Sequence, residues 1–256
     1  MNLPILATTS GPVTTVTLNR PDRRNALNVE LLTQLCAALS AAAADPAQRI
    51  VILRGAGQVF CSGLDLSEAA QPEVAHRSAA LIDQVLRTLA TTRLITIAAV
   101  QGAAVAGGAG LMSACDFAVA TRDAKFGYPE VRRGLVPALI MTFLRRQLRE
   151  REARELLLLG KFFDARHAQA IGLINRVVAE EAALETEVQS MVSSLLQGAP
   201  GALAETKQLL RELWPSPVTT DLDRAQALHL VARHSAEAQE GIAAFNAKRP
   251  PNWAPP

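Results

Sequence analysis

Three short stretches of this chain carry residues that could do chemistry. Residues 95–116 read ITIAAVQGAAVAGGAGLMSACD: an apolar run of strand type stops at Gly102, and a loop of glycine and alanine opens into an apolar segment near Gly108. Glycines let backbone amides approach a ligand, and a helix start adds unpaired N–H groups and partial positive charge. The loop is therefore suited to negative charge on an oxygen. A second loop, GAGQVFCSGLDL, also follows an apolar strand, so the two loops on one cleft would offer two N–H donors to one oxygen, an oxyanion hole. In the third stretch, GYPEVRRGLVPAL, Glu130 stands between turn-forming residues in apolar surroundings and is the best placed general base.

Other chemistries fit poorly. A phosphate-cradling loop needs Lys and then Ser or Thr after its last glycine, where this chain has Leu111 and Met112. The glycine spacing from Gly102 is wrong for a dinucleotide fingerprint, and no Gly-x-Ser-x-Gly elbow occurs. Cys61 has no histidine partner in these stretches and reads as packing. Asp65 reads as a brace for its loop, and Asp116 as a turn or capping acid.

The elements that must position these loops follow from periodicity. Residues 13–18 alternate, placing Val16 and Leu18 on one face, and predict a half-buried strand. Asn28 predicts the cap of a helix whose Leu32, Leu35, Cys36 and Leu39 repeat at helical spacing until Asp45 and Pro46. Residues 50–53 are wholly apolar, as a strand covered on both faces should be. Residues 67–77 are small and polar and predict a mobile segment before a helix over 79–90. Short strands are expected at 117–120, near 125–126 and at 174–178, with helices ending at Gly160 and Gly172. Past Glu180 only helices are expected, over 180–197, 201–213 and 221–247, with Pro215 and Pro217 separating the last two. Strands alternating with helices and then helices alone define an α/β core with a helical C-terminal part.

Composition bounds the rest. The 256 residues, 49% apolar, can fill the core of one large domain, and the net charge of +2 comes from interspersed acids and bases without the basic run that nucleic acid binding would need. Cys36, Cys61 and Cys115 are scattered and lie far from the four histidines, so no metal site is expected, and free thiols point to a reducing compartment. The start, MNLPILATTSG, lacks the pattern of a leader, and no apolar run spans a membrane; a cytoplasmic protein is expected.

Taken together and in order, NRPDRRNAL, VFCSGLDL, AAVQGAAVAGGAGLMSACDFAVA, AKFGYPEVRRGLVP, ARELLLLGKFFDARHAQAIGLINRVV and EGIAAFNAKRPPNW resemble the crotonase family, the enoyl-CoA hydratases and isomerases, over almost the whole chain. The resemblance implies a spiral of ββα units over 1–195, carrying the coenzyme A and active sites, and a helical trimerisation region over 196–256. It implies an acyl-CoA thioester substrate, no separate cofactor, and a homo-oligomer, either a trimer or a dimer of trimers. It implies that the N–H groups of Leu64 and Gly107 hold the thioester oxygen and that Glu130 is the acid and base. Coenzyme A contacts would fall on Arg24, Ala26, Ser62, Asp65 and Leu66, with Lys248 reaching phosphates from a neighbouring subunit.

Two departures from the family pattern bear on the reaction. Hydratases of the family usually carry a further glutamate at the place of Gly110, and glycines often follow the place of Pro137, where this chain has Ala138, Leu139 and Ile140. With one carboxylate, both hydration of a 2-enoyl-CoA and a double-bond shift remain open, as does an acyl-CoA binding protein without catalysis. Bulk at 138–140 is expected to reshape the acyl pocket.

Overall fold

The computed structural model describes residues 3–69, 72–213 and 218–252. In chain order the first elements are strands β1 (Ile5–Ser10) and β2 (Val13–Leu18), helix α1 (Val29–Ala44), strand β3 (Ile50–Gly55), helices α2 (Leu66–Ala69) and α3 (Pro72–Thr91) and strands β4 (Ile95–Val100) and β5 (Ala103–Val105). Helix α4 (Gly107–Ala114), strands β6 (Phe117–Thr121) and β7 (Lys125–Gly127), a 3-10 turn at Pro129–Arg133, helices α5 (Ala138–Gln147) and α6 (Glu150–Leu159) and strand β8 (Phe162–Asp164) follow. Helix α7 (Ala165–Ala170), strand β9 (Arg176–Val178) and helices α8 (Glu181–Leu196), α9 (Pro200–Glu212), α10 (Val218–Arg233) and α11 (Ala236–Asn246) complete the described chain.

The main sheet has the order β1-β2-β3-β4-β6-β9, antiparallel only between β1 and β2. Both faces of its centre are covered, which explains why β3 and β4 read as unbroken apolar runs. Ile50, Ile52, Ile95, Ile97 and Val119 pack with Leu184, Val188 and Val192 of α8, while Val51, Leu53, Ala98 and Val100 belong to the larger core that includes α1 and α3. After β4 the chain leaves this sheet for a second one of order β5-β7-β8. Gly102 makes the turn at φ +63, and a Cβ there would lie 1.8 Å from the Gln58 carbonyl oxygen. Only glycine can bring the two segments so close. The Gln101 amide anchors the departure by donating to the carbonyls of Gly55 and Gly57 at 2.6 and 2.9 Å.

The expected strand over 13–18 and the helix capped by Asn28 are present, the Asn28 side chain accepting from the Leu31 N–H at 3.0 Å. Gly160 ends α6 in the left-handed conformation at φ 57. Residues 67–77 are helical in their described part rather than loop: Glu68 accepts from the Val29 N–H, stapling α2 to the start of α1, and Ala75, Ser78 and Ala79 are buried. The expected helix over 221–247 is two helices, because the Ser235 hydroxyl caps a new one by accepting from the Ala238 N–H at 3.1 Å. Pro215 and Pro217 lie outside the described residues. Strands β1, β5 and β8 carry no alternation strong enough to announce them; β1 buries only Ile5.

Helix α10 folds back over the core. Arg146 of α5 pairs with Asp221 at 3.0 Å, and Arg87 of α3 pairs with Asp223 at 2.8 Å, while Leu222 and Ala225 are buried between.

Asn25 is a heavily used polar side chain beside the second loop. It is fully buried with φ 53, its amide donates to the carbonyls of Ala56 and Val59 at 2.9 and 2.7 Å, and its oxygen accepts from the Arg20 N–H. Asparagine tolerates the left-handed region better than alanine does. Asn25→Ala should therefore lower the unfolding free energy in urea by about 2–4 kcal/mol, since three partly buried backbone groups lose their partner.

Candidate active site

The second loop is joined to β5 by backbone hydrogen bonds. Phe60 N–H donates to Gln101, Cys61 N–H donates to Ala103, and Val105 N–H donates to Cys61, at 3.0, 3.1 and 3.0 Å. Two residues on, the chain pairs on its other side with Leu27, whose N–H donates to Gly63 and whose carbonyl accepts from the Asp65 N–H. A parallel bridge of this kind uses the groups flanking Leu64 and turns the Leu64 N–H away from Leu27. Gly107, the first residue of α4, lies on that opposite side: its missing Cβ would sit 3.7 Å from the Leu64 nitrogen.

Neither N–H donates to a backbone group among the described residues. Gly63, at φ +93, makes the approach possible; a Cβ on it would meet the Val105 oxygen at 2.9 Å and the Gly107 nitrogen at 3.3 Å. Ala106 holds an uncommon conformation for a non-glycine residue, φ 49 and ψ −123, which its N–H bond to the Gly127 carbonyl secures.

Leu64 and Gly107 line a cavity of about 800 Å³, and so does Glu130. That volume suits a small-molecule ligand. Glu130 sits on the 3-10 turn Pro129–Arg133, closed by Gly134 at φ 66, and its own carbonyl accepts from the Leu135 N–H. The carboxyl group is buried, and Oε2 has no hydrogen-bond partner among the described residues. Burial pushes its pKa up to about 7, against a smaller pull downward from its backbone hydrogen bond and from the Arg133 charge. A carboxyl group poised near neutrality with a free oxygen can take up and give back a proton.

Arg24, Ala26, Ser62, Asp65 and Leu66 line the same cavity. Asp65 braces the loop: it pairs with Arg20 at 3.0 Å and accepts from the Ser67 hydroxyl at 2.5 Å. Burial would raise its pKa, but Ser67 and Arg20 together hold it below the ordinary carboxylate value. Lys248 is not among the lining residues; it is exposed in the turn after α11, although Phe245 and Asn246 just before it do line the cavity. Cys61 is fully buried, its thiol pushed up to about 12 by burial, which leaves it no nucleophilic form. Asp116 accepts from the Thr96 N–H and hydroxyl and from Lys207 Nζ at 2.7 Å, a structural tie between β4 and α9.

Gly110 does not open onto the cavity. A Cβ at this position would meet Ile140 Cγ1 at 2.9 Å, so the isoleucine occupies the room that a longer side chain would need. Leu139 and Ile140 of α5, where the sequence pointed to bulk, line the cavity together with Ile82 and Leu86 of α3 and His229 of α10, which the sequence did not single out. The spacing of Ile82, Leu86 and His229 is that of ordinary helix positions, and only the folding back of α10 brings His229 to the cavity.

The model of the family described as "Enoyl-CoA hydratase/isomerase" matches residues 8–256. The 2,3-dehydroadipyl-CoA hydratase of Escherichia coli strain K12 is 34% identical over 239 residues, which are 93% of each chain. The 1,2-epoxyphenylacetyl-CoA isomerase of the same strain is 32% identical over 256 residues, 97% of each. The crystal structure of an enoyl-CoA hydratase from Mycobacterium avium superposes with a TM-score of 0.86 at 37% identity, over 99% of this chain and 100% of that one. No helix among the described residues is long and apolar enough to cross a membrane. The fold, the glycine-built apposition of two loops and the match along the chain agree: this protein belongs to the enoyl-CoA hydratase/isomerase family.

Proposed function

We propose that this chain adds water across the double bond of a 2-enoyl-CoA thioester. The observation that carries the reading is the pair of N–H groups, Leu64 and Gly107, that donate to no backbone group among the described residues, beside one cavity with a buried, protonatable Glu130. In this reading the thioester oxygen accepts from both amides. Ionised Glu130 takes a proton from water as the water oxygen bonds to the β-carbon, and the double-bond electrons move through the α-carbon to the thioester oxygen, forming an enolate. Glu130 then returns the proton to the α-carbon as the carbonyl re-forms, so the net change is one water added. The negative charge on oxygen exists only along this path, which is why fixed donors there accelerate it, each by about 3–4 kcal/mol. No electron or group comes from a third molecule, which supports a reaction without a separate cofactor. Arg24, Ala26, Ser62, Asp65 and Leu66 are the proposed coenzyme A contacts.

The pairing of Gly110 with Ile140 favours a second reading, a shift of the double bond from a 3-enoyl to a 2-enoyl thioester. Here Glu130 removes a proton from one carbon and delivers it two carbons away, and an alkyl wall in place of a second carboxylate keeps water from competing. The discriminating experiment incubates the protein with crotonyl-CoA and, separately, a 3-enoyl-CoA, following the conjugated thioester absorbance and product mass. Gain of water on the first supports hydration; conversion of the second without mass change replaces that reading with isomerisation; silence on both leaves acyl-CoA binding without catalysis.

Exposed leucines on α9, Leu210 at 64% among them, and Val231 on α10 at 72% support a homo-oligomer, a trimer or a dimer of trimers, which sedimentation should show as a single species of that mass. The three buried, unpaired cysteines support a reducing, cytoplasmic setting.

Glu130 should dominate both activity and its pH dependence. Glu130→Gln should lose about a thousandfold in turnover while keeping its affinity for coenzyme A. In the wild type, kcat/KM should rise with pH through about 7 and then level off, because the ionised carboxylate is the base. Stability should move the other way. The folded pKa lies above the ordinary value of 4.5, so the native state holds its proton more tightly than the unfolded chain. That contribution is complete below about 4.5 and is lost as pH rises through about 7. Glu130→Gln should accordingly gain on the order of 2–3 kcal/mol relative to wild type at pH 8 and little at pH 4, in urea unfolding at each pH.

The space around Gly110 gives a further check. Gly110→Glu alone should destabilise by about 1–3 kcal/mol through overpacking against Ile140, and adding Ile140→Gly should recover much of that loss in thermal melts.

A further inference from the structure

Of the two arginines on the turn that carries Glu130, Arg132 is exposed and its guanidinium donates to the Leu159 carbonyl at 3.2 and 3.0 Å, whereas Arg133 lines the cavity. Side chains three residues apart eclipse on a 3-10 turn, so Arg133 leaves on the side of Glu130, about 6 Å further along the axis. Its position is fixed from behind, where helix α11 packs onto its backbone: a Cβ on Gly241 would lie 2.1 Å from the Arg133 carbonyl oxygen. In front, Cζ lies 4.6 Å from the ring centre of Phe245, which also lines the cavity.

The guanidinium is left without a polar partner. Among the described residues it makes no hydrogen bond and no ion pair, with Glu130 or with any other acid; Nε is enclosed by protein, and the two terminal nitrogens are not. Burial draws its pKa below the ordinary arginine value, with Glu130 acting in the opposite sense. A cation partly withdrawn from water costs free energy that a ring face offsets only in part, and a bound anion would offset more. The flat fork of N–H donors matches a carboxylate two bonds at a time.

We propose that the cavity selects acyl groups bearing a carboxylate near the reacting carbons, and that this carboxylate pairs with the terminal nitrogens of Arg133. The inference rests on reading the cavity as an acyl-CoA site. In that reading Glu130 acts at the α- and β-carbons, and the phosphates of coenzyme A lie a whole pantetheine arm away from them. An anion that meets a side chain on the Glu130 turn therefore belongs to the acyl group. The substrate class is the enoyl thioester of a short dicarboxylic acid.

Saturated acyl-CoAs test this without turnover. Calorimetric affinities would be measured on the full chain for glutaryl-, adipyl- and pimeloyl-CoA, each beside the neutral compound whose terminal carboxylate is replaced by a carboxamide of the same size. At the length that reaches Arg133, the carboxylate should bind about tenfold more tightly than its amide, and the preference should fall at the other lengths. Arg133→Met should erase the preference and Arg133→Lys should keep part of it, while both bind the amides and free coenzyme A as the wild type does, which reports an intact fold. The proposal is overturned if the wild type binds the amides as tightly at every length, or if the preference survives in Arg133→Met. It is also overturned if Arg133→Met weakens free coenzyme A as much as the carboxylates, which would assign the guanidinium to a phosphate. The wild-type pairs can overturn it by themselves where a variant does not fold. The same protein assayed on enoyl-CoAs separates the two claims. A carboxylate preference without turnover sinks the catalytic reading and leaves the inference standing, and turnover without a preference does the opposite.

Discussion

The structure depends on the joining of the 60–65 loop to β5 on one side and to Leu27 on the other. Backbone bonds from Phe60, Cys61 and Val105 on one side, and from Leu27 and Asp65 on the other, leave the Leu64 N–H no choice of direction. The donor is placed by chain topology and not by any side chain. Everything around it serves that approach: Gly102 lets the strand cross to the second sheet, Gly63 lets the loop meet α4, and the buried amides of Asn25 and Gln101 tie the surrounding carbonyls. Backbone donors fixed in this way need no reorganisation when charge develops on a bound oxygen, which is where preorganisation has its largest effect.

The second requirement is a carboxyl group that water does not hold in its ionised form. Glu130 lies on a 3-10 turn closed by a left-handed glycine, inside the protein, with one oxygen unpartnered among the described residues. Burial raises its pKa, and Arg133 limits the rise so that both forms are accessible near neutrality. The fold thus tolerates an unfavourable buried acid at one place, and the surrounding core, in which Tyr128, Phe126 and Phe60 are fully buried, offsets that cost.

What the sequence made legible was local. The β2 alternation, the Asn28 cap and the Gly160 stop are decided by neighbours a few residues away, and they stand as expected. The glycine loop and Glu130 were legible because such residues have few other uses in those settings. What escaped was set by distant partners. Residues 67–77 look mobile until Glu68 is seen holding the start of α1, and β5 and β8 are too short to show a period and exist because β7 lies between them. His229 looked like any helix residue, since its setting depends on α10 crossing back to α3 and α5.

That return of α10 divides labour along the chain. In the proposed reading the groups around the thioester come from residues 62–130, whereas the wall facing the acyl group comes from α3, α5 and, through His229, from a helix almost a hundred residues later, held by side-chain ion pairs and apolar contact rather than by sheet hydrogen bonds. Substitutions on α10 can therefore alter which chain fits without disturbing how its thioester is held. Such a fold can diversify its substrates by mutating its last helices while its proton chemistry stays fixed.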